Sequence, residues 1–160
     1  MVPPVRLRSE TTSPAECLTA RMIACSTDTV GGTRALGGAV AAVVDTGDVV
    51  VLVGDLGAGK TAFVRGLVDG AGGCLEDVSS PTFVLMQEYP GRRLVHHVDL
   101  YRLGSDEVDD LEPLLDEMLA GDAIVAIEWA DRLPSLPDRA VRVRIADRGG
   151  DDREITIEEP

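Results

Sequence analysis

Apolar positions along this chain fall into short aliphatic runs that alternate with stretches of helical spacing. The run Asp48–Val53 (DVVVLV) is bounded by Gly47 and Gly54 and reads as a buried strand. Ala123–Ile127 (AIVAI) is a second run of this kind, and Arg93–Val98 and Arg21–Cys25 read as further strands. Val30, Arg34, Gly37, Gly38, Ala41 and Val44 recur at roughly helical spacing behind the N-cap candidates Ser26, Thr27 and Asp28, which predicts a helix over 29–45. Thr61–Gly70 reads as a helix that ends in the glycines at 70, 72 and 73. Ser105–Leu119 reads as one helix capped by Ser105. Ser79-Ser80-Pro81 marks a turn before a strand near Thr82–Glu88, and Tyr89-Pro90-Gly91 breaks that strand. Val141–Ile145 and Glu154–Ile157 flank Gly149-Gly150 as a closing hairpin.

Strands and helices in this order predict an α/β fold: a mostly parallel sheet flanked by helices, with a C-terminal antiparallel hairpin. Residues 1–20 are rich in Pro, Ser and Thr and lack periodicity, so they are expected to form a disordered N-terminal extension. Residues 21–160 are expected to form a single domain, and no internal repeat is evident.

Composition sharpens this picture. Hydrophobic residues make up 44% of the chain but aromatics only 3%, so the core must be built from Val, Leu, Ala and Ile. Strands buried on both faces have this aliphatic character. The formal charge of −13 argues against strong direct binding of RNA or DNA, whose affinity comes largely from neutralised phosphates. Basic residues do gather between Arg139 and Arg153, where they read as a solvated strand pair. Cys17, Cys25 and Cys74 show no disulfide or metal spacing, and reduced thiols suit a cytoplasmic protein. The first ten residues have no apolar run of the kind a signal peptide needs, and no stretch is apolar for the length of a membrane span.

Residues 54–61 read Gly54-Asp55-Leu56-Gly57-Ala58-Gly59-Lys60-Thr61, the G-x-x-x-x-G-K-[ST] pattern without a mismatch. Glycines let successive backbone N–H groups turn inward around phosphate oxygens. The helix that follows adds free N–H groups and the positive end of its dipole. Lys60 would deliver a compact charge to the β- and γ-phosphates, and Thr61 a hydroxyl to Mg²⁺. Of the 15 basic residues, Lys60 is the single lysine; the other positive charges are arginines. A planar guanidinium does not fit where a phosphate cradle wants a small ammonium, so the exception has a chemical reason. ATP with Mg²⁺ is the expected ligand, and 21–160 reads as a P-loop ATPase domain.

Such a site needs a carboxylate at the end of a neighbouring strand. Asp99 ends one predicted strand and Glu128 another, and ligands gather at the carboxyl ends of parallel strands. One would serve Mg²⁺, directly or through water, and the other would orient the attacking water; spacing alone does not assign the roles. Pro81 holds Ser80 extended and so presents Thr82 from a switch-like position near the γ-phosphate. His96 and His97 face opposite sides of their strand, which suits no shared metal, and His97 falls on the Asp99 side, from which it is expected to line the site. Trp129 follows Glu128 and reads either as a stacking partner for the base or as a loop anchor.

Two other classes compete with an ATPase. A small-molecule kinase would want a basic lid, whereas the segment after Ser105 is acidic (DEVDDLEPLLDE). A nucleotide-sensing scaffold would bind ATP without hydrolysing it. Absence of any Asn removes the guanine-reading Asn-Lys-x-Asp motif.

GDLGAGKT, SPTF, HVDLYRL and IEWADRL, in this order and spacing, resemble the bacterial TsaE (YjeE) family. The resemblance spans about residues 28–145 and leaves the N-terminal 25 aside. It implies an ATPase that is weak alone and stimulated by partners. That activity would be needed to form the threonylcarbamoyl group at N6 of adenosine 37 in ANN-decoding tRNAs. The implied partner is the TsaB–TsaD transferase pair, with tRNA engaged indirectly through it. The family's Mg²⁺ ligands fall on Thr61 and Glu128, its DLYR aspartate on Asp99 and its SPT threonine on Thr82. Catalytic roles are thus expected at Lys60, Thr82, Asp99 and Glu128, and partner contacts at the Thr82 loop and the acidic 105–119 segment.

Overall fold

The computed structural model of the chain describes residues 6–8 and 22–160, residues 82 and 138 apart. Its strands are β1 (Arg6–Arg8), β2 (Met22–Thr27), β3 (Val49–Val53), β4 (Met86–Tyr89), β5 (Leu94–Asp99), β6 (Ala123–Glu128), β7 (Ala140–Gly149) and β8 (Asp152–Glu158). Its helices are α1 (Val30–Ala41), α2 (Lys60–Gly70), α3 (Ser105–Asp109) and α4 (Glu112–Leu119). All eight strands join one sheet in the order β1-β2-β8-β7-β3-β6-β5-β4.

The centre, β7-β3-β6-β5, is parallel. Its β3 and β6 strands are the two aliphatic runs, and both their faces are covered. Val50, Leu52, Ile124 and Ala126 pack beneath α1 and α2 with Phe63, Val64, Leu67 and Val68. Val49, Val51, Val125 and Ile127 pack on the other side with Leu115 and Met118 of α4. Burial on both faces is why these strands carry no polar alternation.

The antiparallel part is larger than a terminal hairpin. Besides β7–β8, it includes β2 and β1 beyond β8, and β4 against β5 at the opposite edge. In β7 the pattern does alternate: Val141, Val143 and Ile145 are buried while Arg142 and Arg144 are exposed. Strand β1 falls within the stretch expected to be a disordered extension; the rest of that stretch lies outside the described residues.

Several predicted elements differ in extent. Helix α1 ends at Ala41 rather than 45, and its N-cap is Thr29, whose hydroxyl accepts the Gly32 N–H at 3.0 Å, because the candidates Ser26 and Thr27 belong to β2. Strand β7 runs over Ala140–Gly149, beyond the expected 141–145. The expected helix over 105–119 is broken into α3 and α4, because Pro113 enters at the start of α4 and cannot donate to the preceding turn. Its N-cap is Gly104, whose N–H donates to the Glu107 carboxylate at 2.8 Å, rather than Ser105. The strand expected near 82–88 starts only at Met86, since residues 83–85 turn and Leu85 takes a φ of 67°.

Helices α1 and α2 meet backbone to backbone. A Cβ on Gly37 would lie 2.0 Å from the Phe63 carbonyl oxygen, and one on Gly66 1.9 Å from that of Arg34. Neither neighbour is a flexible side-chain end that could yield. Gly66→Ala is therefore expected to push the helices apart and to lose about 3 kcal/mol of stability, the upper part of the range for overpacking. Urea denaturation checks this; an unchanged midpoint would contradict the close approach.

Candidate functional site

The loop predicted to cradle phosphate leaves the carboxyl end of β3 and runs into α2. Gly54 passes against β7, where a Cβ would sit 2.4 Å from the Ile145 carbonyl oxygen. Gly57 and Gly59 hold φ values of 77° and 110°, left-handed conformations that side chains resist. Asp55, Leu56 and Ala58 complete the curl: the Ala58 N–H donates to the Asp55 carbonyl at 3.0 Å, Ala58 is buried and Leu56 is exposed. The eight residues predicted as the phosphate cradle thus form one continuous loop.

Lys60 opens α2 and is only 4% exposed. Its Nζ donates to the carbonyls of Gly54 at 2.6 Å and Asp55 at 2.9 Å. The same ammonium lies 4.0 Å from the centre of the Trp129 ring. Burial pushes its pKa down, opposed by the negative charges of Glu128, Asp99, Asp131 and Asp55. Trp129 is held at a φ of 60°, with its ring 5.0 Å from that of Tyr101. Beyond the base-stacking and loop-anchoring roles expected of it, the structure sets its ring against the Lys60 ammonium in a cation–π contact.

Asp99 and Glu128 end adjacent parallel strands and stand directly opposite each other in register. Both are buried, at 3% exposure. Glu128 Oε1 accepts from the Thr61 hydroxyl at 2.9 Å and lies 2.8 Å from His97 Nε2. Asp99 Oδ2 accepts from the Ser80 hydroxyl at 2.7 Å, and Oδ1 from the Tyr101 N–H at 2.9 Å. Lys60, Thr61, Asp99 and Glu128 therefore meet around one cavity of about 390 Å³, which Ser80, Phe83, Tyr101 and Trp129 also line. Thr82 lies outside the described residues; Ser80 and Phe83, on either side of it, border the cavity.

His97 does not line the cavity. It is completely buried behind Glu128, and its Nδ1 has no hydrogen-bond partner among the described residues. His96 points the other way, with Nε2 3.3 Å from Glu88. Among the described residues, no cluster of three or more His, Cys, Asp or Glu is arranged to hold a metal.

Sequence reasoning missed one residue. Arg153 belongs to the basic stretch read as solvated, and that reading suits Arg142 and Arg144, which are exposed. The Arg153 side chain is only 14% exposed, and its Nε donates to the Ala58 carbonyl at 2.8 Å. Nothing in its local sequence signals this, because the contact depends on hairpin register and sheet order.

A protein-family model described as "Threonylcarbamoyl adenosine biosynthesis protein TsaE" matches residues 27–155. The chain belongs to the TsaE family. The tRNA threonylcarbamoyladenosine biosynthesis protein TsaE of Bacillus subtilis is 41% identical over 127 residues, covering 78% of each chain. The TsaE protein of Treponema pallidum is 39% identical over 134 residues, covering 83% of this chain and 98% of its own. Among solved structures, Bacillus subtilis YdiB superposes with a TM-score of 0.67 at 30% identity, covering 88% of this chain and 86% of that one. The TsaE match contains residues 54–61, both strand-end carboxylates and Arg153, while β1 lies outside it. No helix among the described residues is long and apolar enough to cross a membrane.

Proposed function

We propose that the chain binds ATP with Mg²⁺ and hydrolyses it. In this reading it is the cytoplasmic ATPase subunit that supports threonylcarbamoyl transfer to N6 of adenosine 37 in ANN-decoding tRNAs by the TsaB–TsaD pair. The names of its relatives support a place in this biosynthesis and lend nothing to the small-molecule kinase alternative. The observation that carries the reading is the Lys60 ammonium, buried at a helix start among loop carbonyls and facing the Thr61–Glu128 pair across one cavity.

The residues fit Mg²⁺. Thr61 Oγ1 and Glu128 Oε1 are hard oxygen donors already 2.9 Å apart, and Mg²⁺ takes one or two protein ligands and completes its shell with phosphate oxygens and water. When bound there, the cation would neutralise charge developing on the β- and γ-phosphates. The protein's own part is positioning. Lys60 exchanges its loop carbonyls for phosphate oxygens, so a charge already held in place meets the nucleotide. In hydrolysis a water oxygen bonds to the γ-phosphorus as the bond to the bridging oxygen breaks; ADP leaves, one water proton stays on the released phosphate and the other passes to solvent. Asp99, held by Ser80 and the Tyr101 N–H, is the carboxylate left to orient that water. The net charge of −13 suits a subunit that leaves tRNA to its partners.

Phosphate release from ATP, measured with and without the TsaB–TsaD pair and tRNA, tests this function. Expected is slow turnover alone and a rise on the order of tenfold or more with the pair. Transfer of the γ-phosphate to an added nucleoside or sugar would favour the kinase. Binding of ATP without release, even with partners present, would favour the scaffold.

A further inference from the structure

We propose that Arg153 is a positioning residue for the phosphate loop, turning a backbone N–H toward the nucleotide from the far side of the loop. The inference rests on the nucleotide-binding reading above. Arg153 lies on β8, which is separated from β3, the strand that launches the loop, by β7. Its guanidinium nevertheless bridges the β7–β8 turn and the loop.

On the loop side, Nε donates to the Ala58 carbonyl at 2.8 Å, and Nη2 approaches the Gly57 carbonyl at 3.4 Å. On the hairpin side, Nη1 contacts the carbonyls of Gly150 and Asp152, each at 2.8 Å, and Asp147 Oδ1 at 3.1 Å. Asp147 Oδ1 also accepts the Gly149 N–H at 2.8 Å, which fixes the carboxylate within the turn. A guanidinium has five donors in a rigid fork, and here its contacts run in both directions.

The consequence follows from peptide geometry. No described peptide is cis, and in a trans peptide the C=O and the next N–H point in opposite directions. Holding the Ala58 carbonyl outward therefore turns the Gly59 N–H inward. Gly59 is the N-cap of α2, so this N–H stands at the helix start, beside the groups that α2 itself leaves unpaired. Its φ of 110° is open to glycine alone, which brings no side chain of its own to fix the peptide. The Ala58 N–H is already committed to the Asp55 carbonyl, so the peptide that Arg153 holds most closely is also the one whose N–H the turn leaves for phosphate. A lysine at this position could supply charge but no fork.

The test is nucleotide affinity measured by calorimetry on the full chain, beside the thermal midpoint. Arg153→Ala is expected to weaken ADP and ATP on the order of tenfold. Arg153→Lys should recover less than half of that loss on a logarithmic scale, because it restores charge without the fork. Asp147→Asn alters an exposed side chain, so its fold is retained; it should weaken binding about threefold by loosening the guanidinium. That variant decides the matter if Arg153→Ala does not fold. An affinity within twofold of the parent in the folded variants, whatever the thermal midpoint does, overturns the proposal. Full recovery by Arg153→Lys also overturns it, since charge alone would then suffice. A parent chain that binds no nucleotide would instead overturn the ATPase reading, and this inference with it.

Discussion

Lys60→Met is expected to lower partner-stimulated phosphate release on the order of a thousandfold while leaving the chain as stable as before, or more so. The first half follows from position. Lys60 is the sole lysine, it opens α2, and its ammonium is the cation held at the inner side of the loop. Removing one preorganised charge or donor from an active site costs on the order of a hundredfold to a thousandfold in rate. The second half follows from burial. Methionine keeps the volume, and the Asp55 carbonyl still receives the Ala58 N–H; the Gly54 carbonyl loses its donor, a cost of about 1 kcal/mol that shedding the buried charge offsets.

The charge itself is a burden on the fold. Burial lowers the Lys60 pKa below its ordinary 10.5, so the folded chain holds this proton less tightly than the unfolded chain does. By linkage, the ammonium opposes folding at every pH below its lowered value, and stability rises with pH between that value and 10.5. The variant should lose that alkaline rise. Thermal midpoints of both proteins across alkaline pH, beside a phosphate-release assay, measure the two halves separately. Normal turnover in the variant would refute the site, and a collapse in stability would refute the account of its burial.

Glu128→Gln carries the second largest effect. Glu128 Oε1 serves both the Thr61 hydroxyl and His97 Nε2, and an amide matches its volume but not its charge. Turnover is expected to fall on the order of a hundredfold or more. Dependence on Mg²⁺ should shift to higher concentration, while nucleotide affinity in a chelator stays near that of the parent. A magnesium titration of phosphate release separates this from a loss of nucleotide binding. Glu128→Ala should behave worse in another way. It strands the completely buried His97 ring with neither nitrogen paired among the described residues, at a cost of about 1–3 kcal/mol. A fully active Gln variant would remove Glu128 from the chemistry and leave Asp99 as the essential carboxylate.

Much of the architecture could be read from local pattern. DVVVLV and AIVAI announced strands covered on both faces because neither alternates, and the packing of Val49–Leu52 and Ile124–Ile127 against two separate cores gives the cause. Gly54 marked the loop because a Cβ there would run into the Ile145 carbonyl, and Gly57 and Gly59 because their positive φ would strain any other residue. The split of the 105–119 helix was also encoded, in Pro113, but helical spacing on either side masked it. His97 was placed correctly on the Asp99 side of β5, yet alternation along a strand says nothing about depth. Whether that side opens on a cavity or on a neighbouring carboxylate depends on β6.

The glycine-rich loop at 54–61, its single lysine and the two strand-end carboxylates were placed by the order of residues. Each is a local requirement: a backbone conformation, a charge at a helix start, the last position of an aliphatic run. What those groups do to one another was settled by sheet order. Parallel pairing of β5 with β6 sets Asp99 opposite Glu128, and α2 brings Thr61 within hydrogen-bond distance of a carboxylate 67 residues away. The β7–β8 hairpin swings Arg153 onto the loop from 95 residues beyond Ala58. Contacts at such separations depend on register and crossover, which no short stretch of chain encodes, and so they became visible only in the folded molecule.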